Sequence, residues 1–255
     1  MKKLYVLISN DDGISSQGIF ALVNEIKQVA DVVVVAPDSQ KSAVSHAITV
    51  NNPLRADRFE KDGQFFGYAV SGTPADCIKL AVRNLLDKKP DVVISGINHG
   101  TNTSVSTIYS GTVSAAAEAA LLGIPAFAIS LATYKDNPDY SFAAKFAKKF
   151  FHVFIKKSLP AGTILNINVP AVKEEEIKGV KITKLNNSAW DDIYEERKDP
   201  QHKPYYWLTN KYIIGYKDNI YDDYALHNNF VSITPLQYDL TNHDFYSEVL
   251  NWEID

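Results

Sequence analysis

Short apolar runs alternate with segments of helical period through the first two thirds of the chain. Residues 4–9 (LYVLIS), 32–36 (VVVVA), 92–95 (VVIS), 126–130 (AFAIS) and 164–169 (ILNINV) are apolar runs of strand length, closed by polar or turn-forming residues. Between the first two, Ile19, Leu22, Val23, Ile26 and Val29 fall on one helical face. A helix beginning at residue 73 has a legible start, with Thr73 as N-cap, Pro74 at the first helical position and Asp76 at the third. Residues 112–122 (TVSAAAEAALL) predict an Ala-rich helix stopped by Gly123, and residues 140–154 predict another. Strands that are apolar on both faces and separated by helices predict an α/β fold, with a parallel sheet covered on both sides and right-handed crossovers. Residues 49–70 break the rhythm with Asn51-Asn52-Pro53 and Asp62-Gly63, and predict a β-hairpin excursion.

The last third differs. Tyr5, Tyr68 and Tyr109 are the only tyrosines before residue 130, of 14 in the chain, and Trp190, Trp207 and Trp252 all come later. Residues 186–229 are rich in Tyr, Asp, Asn and Lys and show no helical period. They fit a surface excursion of loops and short strands, or an oligomerisation arm, since exposed aromatics favour interfaces. At 255 residues the chain is one large domain, or one domain with an appendage.

Composition removes several function classes. A net charge of -4 offers no basic footprint for a nucleic-acid polymer. The single cysteine, Cys77, excludes an internal disulfide framework and a Cys-rich zinc site. The apolar stretch at residues 4–8 is too short for a signal-peptide core, and no run approaches the ~20 apolar residues of a membrane span, so a cytoplasmic protein is expected. The chain contains no G-x-G-x-x-G, no G-x-x-x-x-G-K-[ST], no H-E-x-x-H and no G-x-S-x-G.

Ligands of open parallel sheets bind beyond the carboxyl ends of the strands. The polar residues there are Asn10, Asp11, Asp12 and Gly13 after the first strand, then Asp38, Gln40, Ser42 and Ser45 after the second. Ser95, Gly96, Asn98, His99, Gly100 and Asn102 follow the third, and Ser110, Gly111 and Thr112 open a helix. These four loops are expected to converge. Asn-Asp-Asp-Gly is good turn chemistry. It is also a pair of adjacent carboxylates that, if buried, needs a cation or many donors. With an Asn98 carbonyl and a Ser42 hydroxyl the donors are all oxygen, which selects Mg²⁺, Mn²⁺ or Ca²⁺ over zinc. Ser110-Gly111-Thr112 is an ordinary helix cap or an anion site suited to phosphate. A hard cation beside a phosphate cradle points to phosphate-ester hydrolysis. His99 either lines the rim or assists proton transfer, and His243, four residues after Asp239, is a structural partner of that carboxylate.

ISNDDGISSQGI, VVAPDSQKSAVSHAIT, SGTPADCIKLA, PDVVISGINHGTN and IYSGTVSAAAEAALLGIPAFAIS, in this order, resemble the signature blocks of the SurE family. The resemblance runs densely over residues 3–130 and more thinly through 165–170 to 231–241. It implies a metal-dependent 5′-nucleotidase that hydrolyses nucleoside 5′-monophosphates, with 3′-monophosphates and short polyphosphate as further substrates. It also implies a Rossmann-like three-layer α/β/α catalytic domain (residues 1–185) and a β-rich C-terminal extension (186–255) that returns to the core and mediates a homodimer or homotetramer. Carried over block by block, Asp11, Asp12, Ser42 and Asn98 are the implied ligands of one Mg²⁺ or Mn²⁺ per subunit. Asp11, Asp12 and Asn98 are the implied catalytic residues, and Asn10, Asn102, Ser110, Gly111 and Thr112 the implied phosphate-site residues. The sequence departs from the family pattern at Thr103-Ser104, at residues 105–108 and at Lys41, where Arg is frequent. The nucleophile is a water, with an Asp orienting it, or an Asp itself. A non-catalytic nucleotide-binding module and a nicotinamide-dependent oxidoreductase are rival readings, and the missing glycine fingerprint counts against the latter.

Overall fold

The computed structural model describes residues 3–187, 190–212 and 218–252. Parts of the expected extension, residues 188–189, 213–217 and 253–255, lie outside the described residues. The first strand, β1 (Tyr5–Ser9), is followed by α1 (Gln17–Ile26) and β2 (Asp31–Pro37). A hairpin, β3 (Ala56–Lys61) and β4 (Gln64–Val70), precedes α2 (Pro74–Leu80) and β5 (Val92–His99). Then come α3 (Gly111–Leu121), β6 (Ala126–Ala132), α4 (Ser141–Phe154) and β7 (Thr163–Pro170). The C-terminal third adds β8 (Val180–Ile182), β9 (Trp190–Lys198), β10 (Pro204–Tyr212), α5 (Asp222–His227), β11 (Val231–Gln237) and α6 (His243–Val249).

Nine strands form one sheet in the order β3-β4-β2-β1-β5-β6-β7-β11-β8. The central strands are parallel, as their unbroken apolar runs require. The expected hairpin joins this sheet, with β4 parallel to β2. The sheet is mixed, because β3 runs antiparallel to β4 and because β11 returns from the C-terminal third to pair antiparallel with β7 and parallel with β8.

Alternation along each strand divides the core into two layers. Val6, Ile8, Ile94, Phe127 and Ile167 meet α1 and α4 through Ile19, Leu22, Ala147 and Phe151. Leu7, Val35, Val93 and Ala128 meet α2 and α3 through Ile78, Val113, Ala116 and Ala119. The alanines of α3 let that helix lie close to the sheet, so its N-terminus reaches the strand ends. Thr73 and Asp76 form the expected reciprocal cap of α2. The α-helical geometry ends at Leu80, and Ala81–Leu85 continue as a π-helical turn.

The aromatic-rich segment contains a separate two-stranded ribbon of β9 and β10. The short α5 lies against β11, and its six residues are too few to show a helical period in sequence. Among the described residues no helix is long and apolar enough to cross a membrane.

Phe127 is fully buried at the sheet centre, with Phe150 and Phe154 edge-on to its ring at 5.3 and 5.1 Å. Phe127→Ala is expected to destabilise the protein by about 3–5 kcal/mol. Urea unfolding followed by circular dichroism measures it, and a loss under about 1 kcal/mol contradicts this packing.

Candidate active site

The loops after β1, β2 and β5 meet the N-terminus of α3, as the strand-end reading expects. Asn10 is fully buried, and its amide donates to Gly13 O (3.0 Å) and Ser16 Oγ (2.8 Å), folding the Asn-Asp-Asp-Gly turn back on itself. Ser16 in turn caps α1. The turn is tied to the β2 loop where Lys41 N–H donates to Asp11 O (2.7 Å) and Ile14 N–H to Pro37 O (2.8 Å). That loop reaches the α3 side through Ser45, whose N–H donates to Tyr109 O (2.9 Å) and whose hydroxyl donates to Ile108 O (2.7 Å).

Asp11 is buried and accepts a short hydrogen bond from the Thr112 hydroxyl. Gly111 must be glycine here, because a Cβ would stand 2.8 Å from Asp11 Cβ and 3.0 Å from its Oδ2. Helix α3 therefore starts directly against the carboxylate. Ser110 caps it by accepting from Val113 N–H (3.0 Å), which leaves the Gly111 N–H outside the helical ladder. Asp12 is less buried, and its Oδ2 accepts from His99 N–H (2.9 Å).

The third strand runs four residues further than its apolar run, because β5 keeps pairing with β6 through Asn98 and His99. Asn98 and His99 thus sit on a strand end and not in a loop. The register shifts after Gly96, where a Cβ would fall 2.2 Å from Ile129 O. Asn98 is buried and donates to Gly100 O (2.9 Å), so its amide oxygen is the atom left for a ligand. Ser42 is exposed on the β2 loop, and its hydroxyl accepts from Gln40 Nε2 (2.9 Å). His99 Nε2 lies 2.9 Å from Lys135 O at the rim of a cleft of about 500 Å³ that Asp12, Gln40, Asn137 and Tyr140 also line.

Asn102 stands further back. Its N–H donates to Asn168 Oδ1 (2.8 Å), its carbonyl accepts from Asn166 (2.7 Å) and Asn168 (2.9 Å), and its amide donates to Ser130 (2.8 Å). Asn166 and Asn168 were not singled out by the sequence reading. Two asparagines inside the apolar run of β7 are the signal that could have found them. The same holds for Glu118 in the Ala-rich helix, which is buried and bonds His46 (2.9 Å) and Lys79 (2.6 Å), fixing the β2 loop to α2 and α3. His243 contacts Asp239 (2.6 Å) on the exposed C-terminal segment, remote from these loops in the chain.

The electrostatics of the pair are unfavourable as they stand. Burial, and then the charge of Asp12, push the Asp11 carboxyl up to about 6 against the pull of Thr112. Burial also raises Asp12, offset in part by His99. Tyr140 is raised to about 12 by burial and by Asp12. Among the described residues no ion pair reaches either carboxylate. The oxygens that Asp11, Asp12, Asn98 and Ser42 offer are of the kind a hard divalent cation takes, with none of the nitrogen or sulfur that zinc selects, and the Lys41 N–H to Asp11 O bond is the contact that ties the Ser42 loop to the carboxylates.

The family model described as survival protein SurE matches residues 6–192. The chain belongs to the SurE family. A protein of Chlorobium chlorochromatii named 5′-nucleotidase SurE is 46% identical over 250 residues, covering 98% of this chain and 92% of its own. Its namesake in Flavobacterium psychrophilum is 43% identical over 256 residues and covers 100% of both chains. The crystal structure of the SurE protein from Aquifex aeolicus superposes with a TM-score of 0.84 at 39% identity, over 96% of this chain and 98% of that one. The α/β fold with its helix-flanked mixed sheet is therefore that of the family.

A carboxyl whose folded pKa of about 6 lies above its unfolded value of 3.8 takes up its proton in the folded state first. Stability from this group is therefore gained as pH falls through that window. In EDTA, Asp11→Asn is expected to be more stable than the parent at pH 7, by on the order of 2 kcal/mol. The advantage should shrink towards pH 4, as thermal melts across that range would record. A pH-independent difference contradicts the strained pair.

Proposed function

We propose that the chain is a divalent-metal-dependent 5′-nucleotidase, hydrolysing nucleoside 5′-monophosphates to nucleoside and phosphate. Nucleoside 3′-monophosphates and short polyphosphate fall within its range. The observation that carries this reading is the contact of Asp11, one of two adjacent carboxylates, with the first residues of α3. It puts a cation-demanding site and an anion-binding helix end within one side chain's reach. The names of the family relatives agree with it.

In this reading Asp11, Asp12, Ser42 and Asn98 hold one Mg²⁺ or Mn²⁺ per subunit. The bound ion supplies positive charge that polarises the phosphoryl group and offsets charge in the transition state. The residues of the chain do the rest. The Gly111 N–H and the positive end of α3 bind the phosphoryl oxygens, with Ser110 fixing that end through its cap. Thr112 holds Asp11 in one orientation through its hydroxyl. Asp12, the more exposed carboxylate on the cleft, orients the attacking water. Asn10 and Asn102 serve the phosphate site through the loops they hold, since their side-chain amides already donate within the fold.

The reading includes a cytoplasmic location, no nucleic-acid polymer or membrane as partner, and a division into a catalytic domain (1–185) and a C-terminal extension (186–255). It also includes a homodimer or homotetramer formed through that extension. Tyr206 and Trp207 on the ribbon, and Leu250 and Trp252 beyond α6, are more than half exposed, which supports an interface there.

Phosphate release from a panel of nucleoside monophosphates and p-nitrophenyl phosphate, with Mn²⁺, with Mg²⁺ and with EDTA, tests the proposal. Release is expected to need metal and to favour nucleotides, and Asp11→Asn and Asp12→Asn should each lower kcat at least about 100-fold. No release with any metal would leave a non-catalytic nucleotide-binding module.

A further inference from the structure

The chain between Asn102 and Ser110 is held from two sides at its start. The buried asparagines of β7 hold Asn102. The other clamp comes from the C-terminal third. Asp222, the fully buried first residue of α5, accepts from Ser104 N–H at 2.8 Å and lies 3.4 Å from the Ser104 hydroxyl. Ser104 has φ 53°, in the left-handed region that a serine enters only where its surroundings fix it.

From there a relay runs forward. The Thr107 hydroxyl donates to Ser104 O (2.8 Å), and Ser110 N–H donates to Thr107 O (3.3 Å). Ser110 then caps α3. An apolar side chain at position 222 would fill the space without desolvating a charge. A carboxylate there fixes the direction of the Ser104 peptide, which packing alone does not.

We propose that Asp222 is a positioning residue for the phosphate site. It sets the 103–110 loop and thereby the direction in which the Gly111 N–H and the end of α3 meet the phosphoryl group. The C-terminal third thus completes the active site from behind, through hydrogen bonds and without touching substrate. This rests on the nucleotidase reading.

The test uses the full chain, as wild type, Asp222→Ala, Asp222→Asn and Thr107→Val. Three quantities are measured: the calorimetric Kd of inorganic phosphate with Mn²⁺ present, the Kd of Mn²⁺ itself, and kcat and KM for a nucleoside 5′-monophosphate. Asp222→Ala is expected to weaken phosphate and raise KM about tenfold, the effect of losing the charge-assisted hydrogen bond to Ser104 N–H; the Asp223 N–H that also donates to this carboxylate (2.9 Å) loses its acceptor too. Its Mn²⁺ affinity should stay within about twofold, a change too small to represent a lost contact. Asp222→Asn, whose amide oxygen can still accept from Ser104 N–H while its NH2 then faces Asp223 N–H, should recover part of the loss. Thr107→Val should weaken phosphate in the same direction, and it carries the test if Asp222→Ala does not fold.

Unchanged phosphate affinity in a folded Asp222→Ala or in Thr107→Val would overturn the proposal. So would a parallel loss of Mn²⁺ affinity, or an Asp222→Asn as impaired as the alanine. A wild type that binds phosphate without turnover would sink the nucleotidase reading, while the phosphate and Mn²⁺ titrations would still decide the role of Asp222.

Discussion

Burial of two neighbouring carboxylates at the end of β1 is the constraint around which the surrounding loops are arranged. Asp11 is buried against the first turn of α3, and Asp12 sits beside it at the mouth of the cleft. Burial opposes ionisation of both, the charge of Asp12 adds to it at Asp11, and the nearby donors, Thr112 at Asp11 and His99 N–H at Asp12, offset only part of that. Holding such a pair in place needs a stiff frame. The frame is the parallel sheet, whose central strands end together, with loop-to-loop hydrogen bonds through Lys41 and Ser45 and the closure of the first turn by Asn10.

The same architecture explains why the helix end is available. Helix α3 is nearly all small residues, so it packs flat on the sheet and delivers its N-terminus to the strand ends. Gly111 removes the one Cβ that would keep that end away from Asp11. In the proposed reading a cation site and an anion site then share a wall. A phosphate ester, with anionic oxygens and a phosphorus that must become more electrophilic, is the substrate class that uses both at once.

Much of this was legible in the sequence, and for identifiable reasons. Strands β1, β2, β5, β6 and β7 are apolar on both faces, so their runs are continuous and their ends are marked by polar residues. Thr73, Pro74 and Asp76 announce a cap because each has a separate local reason to be there. Asp11, Asp12 and Thr112 come together as the strand-end rule expects. Other features depend on contacts distant in sequence. The extension of β5 through Asn98 and His99 depends on β6, and the return of β11 to the sheet edge depends on β7 and β8. Asn166 and Asn168 look like interruptions of a strand until Asn102 is seen between them. Asp222 has no local signal at all, because its partner Ser104 lies 118 residues away.

In the proposed reading the carboxylate pair is held for a divalent cation. Calorimetric titration of Mn²⁺ into metal-stripped protein at neutral pH tests it most directly, with the Asp11→Asn/Asp12→Asn double variant as control. One saturable site per chain is expected in the wild type and none in the double variant, with both proteins folded. Equal Mn²⁺ binding by the two proteins, or none by the wild type, would contradict it.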